Sequence, residues 1–165
     1  MSRPLDSETA MLISFLDAQR DSVLAIVRDL SDDALRTQVL PSGWSPLGLI
    51  EHLGHAERHW CQEVGLGSAG ALPWAEEWDP DAPFVTERSP AAVFAFYRQQ
   101  SDRSNAILAG SSLSTVPLGR HEGDDLVPVD FRWIALHLIE ETARHAGHLD
   151  VVRELLDGHT GLGPR

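Results

Sequence analysis

Apolar residues recur with a helical period in four long stretches of the chain. The first runs from about Ser7 to Leu30, with Leu12, Leu16, Val23, Val27 and Leu30 on one face and Asp6 placed to cap it. A short helical turn is expected at 31–35, where Ser31-Asp32-Asp33 puts a capping hydroxyl and two acids at a positive helix end. The second long helix has a clear start. Ser45-Pro46 places a cap at Ncap and proline at N1, where its missing N–H costs nothing. Leu49, Leu53, Trp60 and Val64 form its apolar stripe, and Gly65 and Gly67 mark its end. Ser89-Pro90 repeats the start signal and opens a third helix to about Ala109, with Val93, Tyr97, Ser104 and Leu108 facing inward. Asp130 caps the last helix, Phe131 to Asp157, and Gly158 ends it. Four long amphipathic helices make an all-α protein, most simply an antiparallel bundle, although its long connections permit other orders.

Two connections are long. Residues 66–88 carry Trp74, Trp78 and Asp79-Pro80-Asp81-Ala82-Pro83-Phe84, and residues 110–129 carry Arg120, His121, Glu122, Asp124 and Asp125. Connections of this length in a compact domain commonly fold over a pocket; the alternative is a plain crossover whose tryptophans cover the core. The adjacent acids Asp124 and Asp125 read as solvated.

The fourth helix carries the chemistry. On a wheel of about 100° per residue, Ile134, Leu138, His145, His148, Val152, Leu155 and Leu156 fall near Glu141, so a carboxylate and two imidazoles lie within the row that should face the core. A buried carboxylate is costly unless it is paired or bound to a metal. Glu141 and His145 project from successive turns and can share one ion, as inward Glu and His residues do in bundle metal sites. A buried Glu–His hydrogen bond is the competing reading, and Glu141–Arg144 is an alternative surface pair. A third ligand must come from another helix, and His52, at the flank of the second helix's stripe, is the best candidate. His55 and His59 turn away from that stripe and are expected in solvent or on a rim. His137 is expected to pack or to support a ligand. His121 and His159 are expected on the surface.

Composition adds exclusions. The 165 residues carry 25 acids against 13 basic residues, all of them arginine, for a formal charge of −12. That balance argues against nucleic acid and against anionic membranes. This length suffices for one domain, residues 1–165, which can bury roughly two-thirds of its unfolded surface. One cysteine, Cys61, rules out an internal disulfide, and no apolar run approaches a membrane span or a secretory leader, so a cytoplasmic location is expected. Cys61 reads as a packing residue, because nothing beside it in sequence activates a thiol. Two histidines and a carboxylate leave an open coordination position, the pattern of a catalytic metal; Zn, Ni, Fe and Mn all accept such ligands. Phosphate-loop, dinucleotide and serine-hydrolase signatures are missing.

The stretch Gly43-Trp44-Ser45-Pro46-Leu47-Gly48-Leu49-Ile50-Glu51-His52-Leu53, followed by Glu57-Arg58-His59-Trp60, resembles the second helix of the DinB/YfiT-like superfamily. The run from Arg132 to Asp150, with Glu140-Glu141-Thr142-Ala143-Arg144-His145-Ala146-Gly147-His148, resembles its actinobacterial branch catalogued as DUF664, the mycothiol S-transferases, more closely still. Asp79-Pro80-Asp81-Ala82 and Tyr97-Arg98 fit that branch as well. The resemblance implies a DinB-like four-helix bundle, often a homodimer, with a divalent metal at one end, Zn first and Ni second. It maps the ligands onto His52, Glu141 and His145. Many superfamily members have His where this chain has Glu141, while the related mycothiol-dependent maleylpyruvate isomerases carry Glu. His148 is typical of the branch and either replaces Glu141 as ligand or faces substrate. The implied activity is a detoxifying transfer: mycothiol, a low-molecular-weight thiol, is ionised on the metal and attacks an electrophilic small molecule, with His148 and Arg144 expected to orient substrate. A hydrolase using metal-activated water and a stress-response binding protein with a non-catalytic site are the competing readings.

Overall fold

The computed structural model describes residues 7–74, 82–121 and 127–160. The expected cap Asp6, Trp78, Asp79-Pro80-Asp81, Glu122 and the Asp124-Asp125 pair lie outside the described residues. Five α-helices follow in order: α1 Ser7–Ile26, α2 Asp32–Arg36, α3 Pro46–Arg58, α4 Pro90–Gly110 and α5 Phe131–Asp157; among the described residues there are no strands. α3 continues without a break into a π-helical segment, His59–Gly65.

The caps act as the sequence implies. The Ser31 and Ser45 hydroxyls accept from the backbone N–H groups of Ala34 and Gly48 at 3.2 and 3.1 Å, and the Asp130 carboxylate accepts from that of Trp133 at 2.9 Å. Gly158 closes α5 in the left-handed region at φ 79°. Two expectations fail. α1 ends at Ile26 instead of Leu30, because the chain turns at Asp29, with φ 64°, while Leu30 still packs on the core from outside the helix. The apolar period therefore outlasts the helix. Leu155, placed in the inner row by the wheel, is 59% exposed. α1 stops short of that end of α5, and it is Arg153 that turns inward, donating to the carbonyls of Ile26 and Arg28 at 2.7 Å each. Those carbonyls lie at the end of α1, where intrahelical donors run out.

The helix directions follow from which ends share a core. Leu12 and Leu16 of α1 pack with Trp60 and Val64, with Leu108 of α4, and with Phe131, Ile134 and Leu138 of α5. Val23 and Ile26 pack with Leu49 and Leu53 of α3, Val93 and Tyr97 of α4, and Ala146 and Leu149 of α5. So α1 and α5 run one way and α3 and α4 the other. The order is up-down-down-up, not the simple alternating bundle. The chain crosses the bundle's length once, between Leu66 and Ser89, which explains why that connection is long.

A buried ion pair sits midway. Arg20 of α1 donates to both carboxylate oxygens of Glu57 on α3, at 2.7 Å each, and also to Asp17 and to Asn105 of α4. Arg20 lies four residues after Leu16 and three before Val23, on the apolar face itself. The pair offsets two desolvated charges only while both members are present. Arg20→Ala is expected to cost about 3–5 kcal/mol by stranding Glu57. Arg20→Met with Glu57→Leu is expected to recover most of that loss; urea unfolding of the three variants checks it, and a double variant no more stable than Arg20→Ala contradicts it.

Candidate metal centre

His52 is placed by the start of α3 and by the crossover that lies on it. The Phe84 carbonyl accepts from the Ser45 backbone N–H at 3.0 Å. A Cβ on Gly48 would stand 2.0 Å from that carbonyl oxygen, so only glycine lets the crossover lie this close. The Phe84 ring then stacks on the His52 imidazole, centroids 4.0 Å apart and 13° from parallel. Glu141 and His145 come from successive turns of α5, as the wheel implied.

The three side chains meet. Glu141 Oε1 lies 3.1 Å from His52 Nε2 and 3.0 Å from His145 Nε2. Among the described residues they are the one set of three such side chains whose ligand atoms all fall within 4.8 Å. The hydrogen bonds from His145 and His52 hold the Glu141 carboxyl well below the usual carboxylate range, against the opposing effect of its burial. Two imidazole nitrogens and an ionised carboxylate oxygen form a donor set suited to a borderline divalent cation. Separations near 3 Å are those of two ligands each ~2.0–2.2 Å from one ion.

The other predicted residues fall around this group. His148 is exposed, with its Nδ1 3.4 Å from His145 Nδ1, on the side of that ring away from Glu141. It backs His145 and does not join the three. Arg144 is exposed and donates to Glu140 at 2.8 Å; the one-turn spacing ties it to the outer face of α5, away from the group. His137 packs between Trp133, stacked at 5.0 Å, and Trp60, edge-on at 4.4 Å, and burial lowers its pKa. Cys61 is fully buried, and burial pushes its thiol up to about 12. His159 is exposed, as expected.

Of the two positions expected for them, His55 and His59 take the rim, both half-buried and lining a cleft, while His121 departs from expectation. His55 lies between Glu51, Phe96 and Trp74. His59 is half-buried too and bonded at both nitrogens, Nδ1 to Glu63 at 2.7 Å and Nε2 to His121 at 2.9 Å. His121, expected on the surface, is held there by a loop that packs on the π-helical segment. The His59–Glu63 spacing was visible in the sequence; a partner from a distant loop was not. A cleft of about 550 Å³ is lined by His52 and Glu141 at one end and by His59, Arg120 and His121 at the other. A larger groove, about 900 Å³, lies between the end of α1 and the start of α4, remote from this cluster.

Residues 11–158 match a family model described as mycothiol-S-transferase, and a search of curated proteins finds no match. For Glu141 the sign of the pH effect is clear. A carboxylate whose folded pKa lies below its usual 4.5 contributes stability that is present above that value and lost as pH falls through the folded one. In metal-free protein, Glu141→Gln is expected to flatten the loss of stability on acidification below about pH 5. Denaturant midpoints measured against pH check this, and identical slopes for the two proteins contradict it.

Proposed function

The chain belongs to the mycothiol-S-transferase family, and from that premise we propose that it is a single-domain, metal-dependent S-transferase, moving the thiol of mycothiol onto an electrophilic small molecule. The observation that carries this reading is the convergence of His52, Glu141 and His145 at one end of a cleft large enough for a small substrate. These three residues would hold the ion, with Zn the first choice and Ni the second. A bound divalent cation supplies Lewis acidity, which makes a neighbouring thiol a nucleophile near neutral pH.

The remaining chemistry belongs to side chains. Phe84 stacks on His52 and fixes the plane of its ring. His148 meets His145 at Nδ1, so it can accept the proton that this ring carries there when Nε2 is engaged. That back-contact orients the ligand. Cys61 supports an external thiol: it is fully buried, its thiol is held protonated, and it does not line the cleft. The nucleophilic sulfur must then enter with a cosubstrate.

Purified protein is expected to retain about one divalent ion per chain by elemental analysis and to lose it in His52→Ala and His145→Ala. Zinc at 100 times its dissociation constant is expected to add about 2.7 kcal/mol to the wild type, a rise in melting temperature of roughly 5–10 °C, and nothing to either variant. With 1-chloro-2,4-dinitrobenzene, product is expected only when mycothiol is present. Turnover without thiol points to metal-activated water instead. A metal-free wild type whose melting is indifferent to zinc and chelator, together with unchanged conjugation in both variants, sinks the proposal.

A further inference from the structure

The crossover meets α2 as well as α3, and the bonds it makes there bear on His52. α2 is seated by Leu35, which is buried in the same core cluster as Val27, Leu47 and Leu49. Its last turn is closed locally. The Thr37 hydroxyl donates to the Asp33 carbonyl at 2.7 Å, and the Thr37 N–H donates to the Ala34 carbonyl at 3.2 Å. The Arg36 guanidinium leaves the helix instead. It donates from Nη1 to the Thr86 carbonyl and from Nη2 to the Arg88 carbonyl, both at 2.7 Å. Asp32 and Asp33 stand four and three residues back, at the spacing of a helix ion pair. Among the described residues Arg36 forms no such pair; two crossover carbonyls take its donors. The same stretch is fastened again by Arg88, which donates to Glu51 Oε1 at 2.7 Å, on the residue next to His52. The Arg88 N–H also donates to the hydroxyl of buried Thr86 at 3.2 Å.

These fastenings differ in what they fix. The single bond from the Ser45 N–H to the Phe84 carbonyl is a pivot about which the crossover could swing. The Arg88–Glu51 bond is made through a long side chain that leaves the backbone free to shift. The Arg36 fork is planar and rigid, and it grips two backbone carbonyls two residues apart. It therefore fixes the direction of the segment as well as its place. That direction sets the attitude of the Phe84 ring, which lies 13° from parallel with the His52 imidazole. The torsion that turns a histidine ring is broad, so neighbours decide the plane. The His52 side chain is 21% exposed and needs a flat cover on its face to hold one plane. If the ring turns, Nε2 leaves its 3.1 Å contact with Glu141 Oε1.

We propose that Arg36 is a positioning residue for the metal centre: by clamping the crossover at Thr86 and Arg88 it holds Phe84 flat against His52 and keeps Nε2 of that ligand turned toward Glu141. This rests on the reading of His52, Glu141 and His145 as metal ligands. Among the described residues, Arg36 bonds none of the three and is not part of the cleft wall. It acts through two contacts in series, carbonyls to guanidinium and ring to ring. Groups that orient a ligand from outside the coordination shell commonly change metal affinity by roughly 10–100-fold. α2 is thus the part of the fold that sets the ligand's ring, although it carries no ligand itself.

Zinc affinity, read by competition with a chromophoric chelator, tests this with Arg36→Met, Phe84→Leu and the double variant. Methionine keeps the apolar stem and removes the fork; leucine keeps an apolar cover and removes the flat ring. Each single variant is expected to bind zinc roughly 10–100-fold more weakly than the wild type. The double variant is expected to bind no more weakly than Phe84→Leu alone, because both changes break one series of contacts. Proton NMR of metal-free protein reads the clamp without the ion. The His52 ring protons, shifted upfield by the stacked Phe84, are expected to move downfield in both single variants. Those of His137, packed between Trp60 and Trp133, are expected to stay where they are. Arg36→Lys keeps the charge but reaches one carbonyl at a time; a loss of roughly 10-fold is expected of it, and it decides the matter if Arg36→Met does not fold. Losses that multiply in the double variant overturn the clamp, as do wild-type affinity and unmoved His52 signals in the Arg36 variants. A wild type with no measurable zinc affinity overturns the metal reading instead, and the His52 signals then decide the clamp.

Discussion

The register between α3 and α5 decides whether the three candidate ligands meet, and the buried Arg20–Glu57 pair is what fixes α3. A guanidinium bonded through two parallel N–H groups to a carboxylate tolerates little sliding or rotation. α1 carries that constraint across the bundle. It is bonded to the beginning of α5 through Glu8 and Arg132, and to the end of α5 through Arg153. The surface pair contributes little energy by itself. Its value is directional, since contacts at both ends of two parallel helices leave one alignment. His52 and Glu141 then approach within hydrogen-bond distance as a consequence of bonds made elsewhere.

Much of this was legible in the sequence, and the reasons are physical. Helix starts were, because a serine or aspartate cap acts through atoms three residues away. His52, Glu141 and His145 were, because a carboxylate among apolar residues at helical spacing is costly enough to need a reason. The end of α1 was not. Leu30 keeps the apolar period after the helix has stopped, and periodicity reports burial, not backbone. Arg20 was hidden in plain view: its position on the apolar face of α1 required a buried partner, but nothing local identified Glu57. The π-helical turn and the delivery of His121 were beyond reach, since both depend on loop and helix meeting in three dimensions. The helix order follows from the fold and could not be chosen from the pattern alone.

The cleft is chemically divided along its length. One end gathers neutral or acceptor groups that suit a cation. The other, among the described residues, gathers imidazoles and arginines around the Glu63 carboxylate. The helix that lines both ends changes character between them, α-helical at His52 and π-helical from His59 onward. Wider turns are common where a helix serves a site. Here the change keeps Trp60, Cys61 and Val64 packed inward while His59 and Glu63 line the cleft.

The crossover between Leu66 and Ser89 has a consequence for how such a protein can diversify. It must travel the length of α3 and its π-helical extension, ~30 Å, and roughly 24 extended residues reach more than twice as far. The connection is thus constrained at its ends and supplied with surplus chain between them. Phe84, near one end, is held by the backbone contact at Ser45 and Gly48. The surplus can change in sequence and length without altering any helix. Change in the chain can therefore accumulate in that connection while the ligand-bearing helices stay as they are, so that the two evolve on separate parts of the chain.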